Sequence, residues 1–313
     1  MRTKRIGILF GMEDTFPWAL INQINGLASG EIEAAALKVS YLKDAVPPGY
    51  DLILDRISHE VPFYRTMLKF AVSRGIQVIN NPFWCAADDK FFNNVVALQA
   101  GVAVPRTVVL PHKQHPPNTE SKSYRNLELV NWDEVFQYLG FPIFLKPAYG
   151  GGWKDVYRCD NASGFFSAYD QTRDLTMMAQ EAIAFTDYYR CYVLGRSRVH
   201  IMRYDPGQAH HLRYVQNAPD PAPGLLERIH NDALTLCRTL GYDMNTVEFA
   251  VRDGVPFAID FMNAAPDADL HSVGETNFEW VVRNMAEVLI ERVRNPIAFE
   301  PTGNWPMLLA EKD

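Results

Sequence analysis

A lysine delivered by an apolar strand into three consecutive glycines is the first place in this chain where chemistry could happen. The stretch runs from Phe141 to Lys154, with Lys146 near the strand's end and Gly150, Gly151 and Gly152 just beyond it. Glycines let backbone N–H groups approach polyanionic oxygens, and an ammonium adds a point charge beside them. That suits a phosphate, although a flexible turn beside a surface lysine would read the same way. The second place is Thr246 to Asn263, which reads as a β-hairpin turned at Asp253-Gly254 and carries Glu248, Asp260 and Asn263. A two-residue turn sends Asp260 to the sheet face opposite Glu248. A three-residue turn, Arg252-Asp253-Gly254, keeps both on one face at a diagonal of about 7–8 Å. Two carboxylates so placed suit one or two magnesium ions, with Asn263 adding an amide oxygen. Acids on a solvated rim are the alternative. Glu248 and Asp260 lie among Val247, Phe249, Ile259 and Phe261, however, and carboxylates in buried strands need a partner.

The elements that must position these residues follow an alternating pattern. Residues 5–10, Tyr50 to Asp55 and Ile76 to Asn80 read as strands, separated by helix-like stretches from Pro17 to Leu27 and from Pro62 to Arg74. Alternation of this kind predicts a parallel, Rossmann-like N-terminal unit. No G-x-G-x-x-G follows the first strand, so a dinucleotide site there is not supported. Asn80-Asn81-Pro82 breaks the chain, and Asp88 is placed to cap a helix with Phe91, Val95 and Leu98 on one face. Val102 to Leu110 reads as a strand, and Pro111 to Arg125 as a surface loop. Asn131 and Glu134 suggest a capped short helix ending at Gly140. Gly224 to Leu240 carries a helical stripe of Leu226, Ile229, Ala233, Leu236 and Leu240, ended by Gly241.

Composition narrows the function classes. The chain has 313 residues, 48% hydrophobic and 21% charged, room for more than one packed unit. Its net charge of −7 and the lack of any Lys/Arg-rich run argue against a nucleic-acid surface. No apolar run is long enough to span a membrane, and the short N-terminal apolar stretch does not read as a signal peptide. Cys85, Cys159, Cys191 and Cys237 lack C-x-x-C spacing and read as reduced, mostly buried thiols, so a cytoplasmic setting is expected. His200, His210 and His211 have no acidic partner at metal spacing and read as packing residues.

Taken in order, the motifs between Asp88 and Asn295 resemble the ATP-grasp superfamily, in particular ligases of the RimK and glutathione synthetase type. Asp89-Lys90 followed by Gly101-Val102-Ala103-Val104-Pro105-Arg106-Thr107 is similar to that family's segment whose lysine reaches an ATP phosphate. Phe141-Pro142 through Lys146-Pro147 resembles its lysine strand, with Gly150–Gly152 as phosphate lid. Gln180-Glu181-Ala182-Ile183 is similar to the linker that faces adenine, and Asp187 through Gly195 to the segment that makes Asp187 a ribose candidate. Two departures stand out. The second metal motif is Asp260-Phe261-Met262-Asn263 where the family writes E-x-N, and Tyr188-Tyr189 stands where one residue is usual.

The resemblance implies an α/β chain, α+β in its catalytic part. A Rossmann-like domain (1–86) would precede an ATP-grasp fold whose two subdomains (87–185 with the lid, 186–313 with the metal hairpin) clamp ATP. It implies ATP-dependent joining of a small-molecule carboxylate to an amine, or a thiol, through an acyl phosphate. Lys90 and Lys146 would hold phosphates, and Glu248, Asp260 and Asn263 would hold Mg2+, with Mn2+ as a substitute. Arg203 and Arg213 would meet the substrate carboxylate or acyl phosphate, Arg213 being preferred, and Lys146 and Arg213 would be the catalytic pair. Arg56, at the C-terminal end of a strand, is a further substrate-site expectation. A homodimer is compatible with the resemblance. A phosphotransferase and a non-catalytic nucleotide binder remain open as alternatives.

Overall fold

The computed structural model describes residues 2–83, 89–209, 212–215 and 219–298. Asp88, Cys85, His210 and His211 lie outside the described residues. The chain divides into two compact units: Met1–Ala87, Asp187–Phe249 and Asp260–Asp313 form the first, Asp88–Thr186 and Ala250–Ile259 the second.

The first unit begins with a parallel sheet of β1 (Lys4–Leu9), β2 (Ile32–Ala36), β3 (Leu52–Asp55) and β4 (Gln77–Ile79), in the order β2-β1-β3-β4. Helices α1 (Phe16–Leu27) and α2 (Pro62–Ser73) connect the strands, each with proline in its first turn, where no N–H partner is lost. Side-chain alternation makes the sheet apolar on both faces. Ile6, Ile8, Leu52 and Leu54 join a core with Leu20 and Ile24 of α1, while Leu9 and Ile53 pack with Met67, Leu68 and Ala71 of α2.

The second unit holds α3 (Lys90–Gln99), β5 (Thr107–Leu110), α4 (Trp132–Leu139), β6 (Ile143–Pro147), β7 (Tyr157–Cys159), α5 (Ala162–Gln171) and β8 (Met177–Glu181). Its strands form an antiparallel sheet ordered β5-β8-β6-β7. One face carries Leu110, Ile143, Leu145, Met177 and Ala179, covered by Val135, Leu139, Phe165 and Tyr169 from α4 and α5.

After β8, β9 (Asp187–Leu194) and β10 (Arg198–Arg203) pair antiparallel, and α6 (Leu225–Leu240) leads into β11 (Met244–Arg252) and β12 (Val255–Asp260), of which Ala250–Ile259 counts with the second unit and the rest with the first. The sheet order is β10-β9-β11-β12. After α7 (Leu270–Val273), the long α8 (Glu275–Arg294) buries Val281, Met285, Val288 and Leu289 in the core that also takes Tyr192 and Leu194 of β9. No helix among the described residues is long and apolar enough to cross a membrane.

Three expectations change. Helix α3 is capped by Asp89, whose carboxylate accepts from the N–H groups of Phe91 and Phe92. Its buried side is Asn93, Asn94, Val96 and Ala97, and Leu98 is exposed. The apolar stripe misled because Asn94 is drawn inward by hydrogen bonds to Thr107 and Pro105. The hairpin turn has two residues, since β11 ends at Arg252 and β12 starts at Val255. Asp253 and Gly254 both have positive φ, 52° and 73°, the conformation that matches strand twist in a tight hairpin. The three-residue turn is therefore overturned, yet the charge of Asp260 still acts on the Glu248 carboxyl.

Candidate active site

In the second unit, Lys90 opens α3, and its Nζ donates to the Gly150 carbonyl at 2.6 Å. Its backbone N–H donates to Ala148 O at 3.1 Å, so the start of α3 is fastened to the segment leaving β6. Lys146, on β6, reaches Ile259 O at 3.4 Å. Gly150 and Gly152 have φ of 86° and 73°, which only glycine adopts without strain, while a Cβ at either would meet no atom. Backbone conformation, not crowding, thus requires these glycines. Both expected lysines and the glycine loop belong to this one unit.

On β8, Gln180 is buried and donates to Thr107 Oγ1 at 2.9 Å. Glu181 lies between two guanidinia, Arg106 Nε at 3.0 Å and Arg252 Nη1 at 2.6 Å. Burial pushes its carboxyl up, but the two arginines and the Arg106 N–H outweigh that and hold it below its usual range. Ala182 N–H donates to Pro142 O, and Ile183 is buried.

In the first unit, Glu248 on β11 faces β9. Tyr188 Oη donates to Glu248 Oε2 at 2.6 Å, and Arg190 Nε lies 3.7 Å from Oε1. That Arg190 nitrogen is buried and has no hydrogen-bond partner among the described residues. Burial is the chief force on the Glu248 carboxyl and raises it; Arg190 opposes, and the charge of Asp260 raises it further. Burial likewise raises the Tyr188 phenol well above its ordinary value, with Glu248 adding to the effect. Asp260 is exposed. Asn263 donates from Nδ2 to Thr246 Oγ1 at 3.0 Å, which turns its Oδ1 to the other side of the amide, and its N–H is held by Asn245 Oδ1 at 2.8 Å. Among the described residues, no three His, Cys, Asp or Glu side chains cluster as a metal site.

The arginine expectations divide. Arg213 donates to Tyr204 Oη at 3.3 Å and lowers the Glu248 carboxyl electrostatically, so it belongs to the Glu248 neighbourhood. Arg203 forms an ion pair with Asp187 and lies 5.5 Å over the Tyr189 ring. Asp187 and Tyr189 alternate with Tyr188 and Arg190, the residues that face Glu248. Arg56 is buried, clamped to Glu13 by two bonds and to Pro266 O at 2.6 Å, with Phe16 below the guanidinium. Its position is that of a structural tie rather than of an open substrate contact.

Sequence reasoning missed Tyr188, Arg190 and Tyr204. The available signal was the alternation of Tyr188, Arg190 and Tyr192 along an otherwise apolar strand, which places a charge on a buried face.

The architecture finds close counterparts among solved structures. A D-alanine–D-alanine ligase from Bacillus anthracis, complexed with ATP, superposes with a TM-score of 0.64 at 18% identity, covering 95% of this chain and 100% of that one. A RimK domain ATP-grasp protein from Sphaerobacter thermophilus gives 0.63 at 17% identity, covering 91% and 99%. This chain has the ATP-grasp fold. The VanG D-Ala:D-Ser ligase from Enterococcus faecalis is a further structural neighbour, with a TM-score of 0.65 at 14% identity over 93% of this chain and 100% of that one. By sequence, the chain is 27% identical over 223 residues to pyruvate carboxylase 1 from Caenorhabditis elegans. The match takes in 66% of this chain but spans 17% of that much longer protein. No family profile matches.

Proposed function

We propose that this ATP-grasp protein is an ATP-dependent ligase that joins a small-molecule carboxylate to an amine. The observation that carries the reading is the fastening of Lys90 to Gly150, which brings a phosphate-type lysine and a glycine loop together at the end of the Lys146 strand. The named ligases among the structural neighbours support it.

In this reading a carboxylate oxygen of the substrate attacks the γ-phosphorus of ATP. The bond to the β,γ-bridging oxygen breaks and ADP leaves with that electron pair. The amine then attacks the acyl carbon, phosphate departs, and the nitrogen loses a proton. Lys90 and Lys146 hold phosphate oxygens and neutralise charge that grows on them during transfer. Gly150, Gly151 and Gly152 offer backbone N–H groups to the same oxygens, and Gln180 to Ile183 form the adenine edge. Arg213 would meet the acyl phosphate.

The donor set fits magnesium. Glu248 and Asp260 offer hard carboxylate oxygens and Asn263 an amide oxygen, while Arg190 Nε, ion-paired with Glu248 but without a hydrogen bond among the described residues, could also take an anionic oxygen such as a phosphate supplies. Mg2+ bound there would neutralise phosphate charge. Asp187, Arg203 and Arg56 are not carried into the site, because each already has a charged partner.

A second reading is favoured by one observation, the exposure of Asp260 at the end of β12. A protein with a weakened metal set would bind ATP and turn nothing over. The deciding experiment measures ADP and phosphate release from Mg-ATP with pooled carboxylic acids, with and without pooled amines, against a Lys146→Ala control. Release that requires an acid and rises with an amine is the expected result. ATP binding without release in any pool would favour the second reading.

A further inference from the structure

The inference rests on the reading of Glu248 as a cation ligand and concerns the residue that touches its carboxylate. Tyr188 is held at both ends. Its backbone carbonyl accepts from Tyr204 N–H at 2.9 Å, its ring packs on Tyr204 at 6.0 Å between centroids, and its hydroxyl reaches Glu248 Oε2 at 2.6 Å. The other oxygen, Oε1, faces Arg190. The two carboxylate oxygens are therefore unequal: one receives a short phenolic hydrogen bond from a buried, anchored ring, and the other does not.

Divalent cations differ in how they use a carboxylate. Calcium accepts both oxygens of one group in a loose shell, whereas magnesium demands octahedral geometry and takes single oxygens. A phenol fixed on Oε2 hinders two-oxygen binding, since its proton points where the cation would sit. We propose that Tyr188 is a positioning residue that makes Glu248 a one-oxygen ligand and thereby favours magnesium-sized over calcium-sized cations.

The test is a binding measurement on the full chain with ADP present. Mn2+ binding is followed by electron paramagnetic resonance, and bound Mn2+ is displaced with Mg2+ or with Ca2+. Tyr188→Phe removes one oxygen and keeps the ring on Tyr204. It should move the Ca2+/Mg2+ displacement ratio toward Ca2+ by about tenfold, the lower end for partners of metal-ligating groups. Tyr189→Phe, which removes a buried hydroxyl with no partner among the described residues, should leave the ratio unchanged. Should Tyr188→Phe not fold, 3-fluorotyrosine at position 188, a stronger donor of nearly the same shape, must move the ratio toward Mg2+. Glu248→Gln separates the two levels. If it leaves Mn2+ binding intact, the cation reading of Glu248 fails, and this inference with it. If it weakens Mn2+ binding while Tyr188→Phe keeps the parent ratio, the role of Tyr188 alone is overturned.

Discussion

Lys90 Nζ and the Gly150 carbonyl stand 2.6 Å apart, so the first turn of α3 and the glycine loop after β6 are joined by a charge-assisted hydrogen bond. A phosphate arriving at the loop would compete for that ammonium. Lys90→Met and Lys146→Met should each lower kcat/KM for ATP by about two to three orders of magnitude, as loss of a donor to a developing anion does. Steady-state kinetics over a range of ATP concentrations checks this; an unchanged kcat/KM in both variants would remove the lysines from the phosphate site.

Removing Glu248 acts on stability as well as on binding. Glu248→Ala leaves the buried Arg190 guanidinium beside an empty place and removes the acceptor of the Tyr188 hydroxyl. We expect a loss of about 3 kcal/mol, the scale for breaking a buried pair from one side. Glu248→Gln keeps an acceptor for Tyr188 and should lose less. Urea unfolding of the three proteins ranks them, and equal stabilities would contradict the packing described.

Asn80 is saturated by four backbone groups. Its Oδ1 accepts from Asp243 N–H at 2.7 Å and Met244 N–H at 2.9 Å, and its Nδ2 donates to Met244 O at 2.8 Å and Ala264 O at 2.9 Å. Asn80→Ala leaves these buried groups unmatched at the start of the strand that carries Glu248. A loss of about 2–4 kcal/mol is expected, with hydrogen exchange accelerating at Met244. Neutral behaviour would mean that water replaces the amide at little cost.

Asp269 supplies a pH-dependent tie. Its carboxylate accepts from the N–H groups of Asp14, Thr15 and Phe16 and from Thr15 Oγ1, at the N-terminus of α1. Burial pushes its pKa up, but those bonds outweigh burial and hold it below the ordinary value of 3.8. With the folded value depressed, the stabilisation is full above the unfolded pKa and is lost as pH falls through the folded one. Asp269→Asn should therefore be less stable than the parent by about 1–2 kcal/mol at neutral pH. The gap should close below about pH 4, as thermal melts across pH would record.

Asp187 and Arg203 offer a test of the reassigned motif. Their ion pair is partly exposed, with side-chain accessibilities of 24% and 21%, so a double-mutant cycle should return under about 1 kcal/mol. Asp187→Ala should leave ATP affinity within about twofold, or 0.4 kcal/mol. A tenfold loss would restore the ribose role to Asp187.

Read alone, the sequence determined the type and order of most elements and the identity of the lysines, glycines and acids, because these follow from local rules. Strand periodicity, prolines at helix starts, glycines at positive φ and Asp253-Gly254 between two apolar runs all act within a few residues. Helix α8, which completes the core against β9, went unread, since its pattern acquires meaning only beside the surface it covers. Partnership was likewise beyond local reading. That Asn80 holds β11, that Arg56 is clamped by Glu13, and that Tyr188 meets Glu248 were decided by packing between segments far apart in sequence. The hairpin shows the boundary most clearly. Its sequence allowed a two-residue and a three-residue turn, and the structure has the two-residue one at Asp253-Gly254, because the choice rests on how the two strands pair rather than on the turn residues alone.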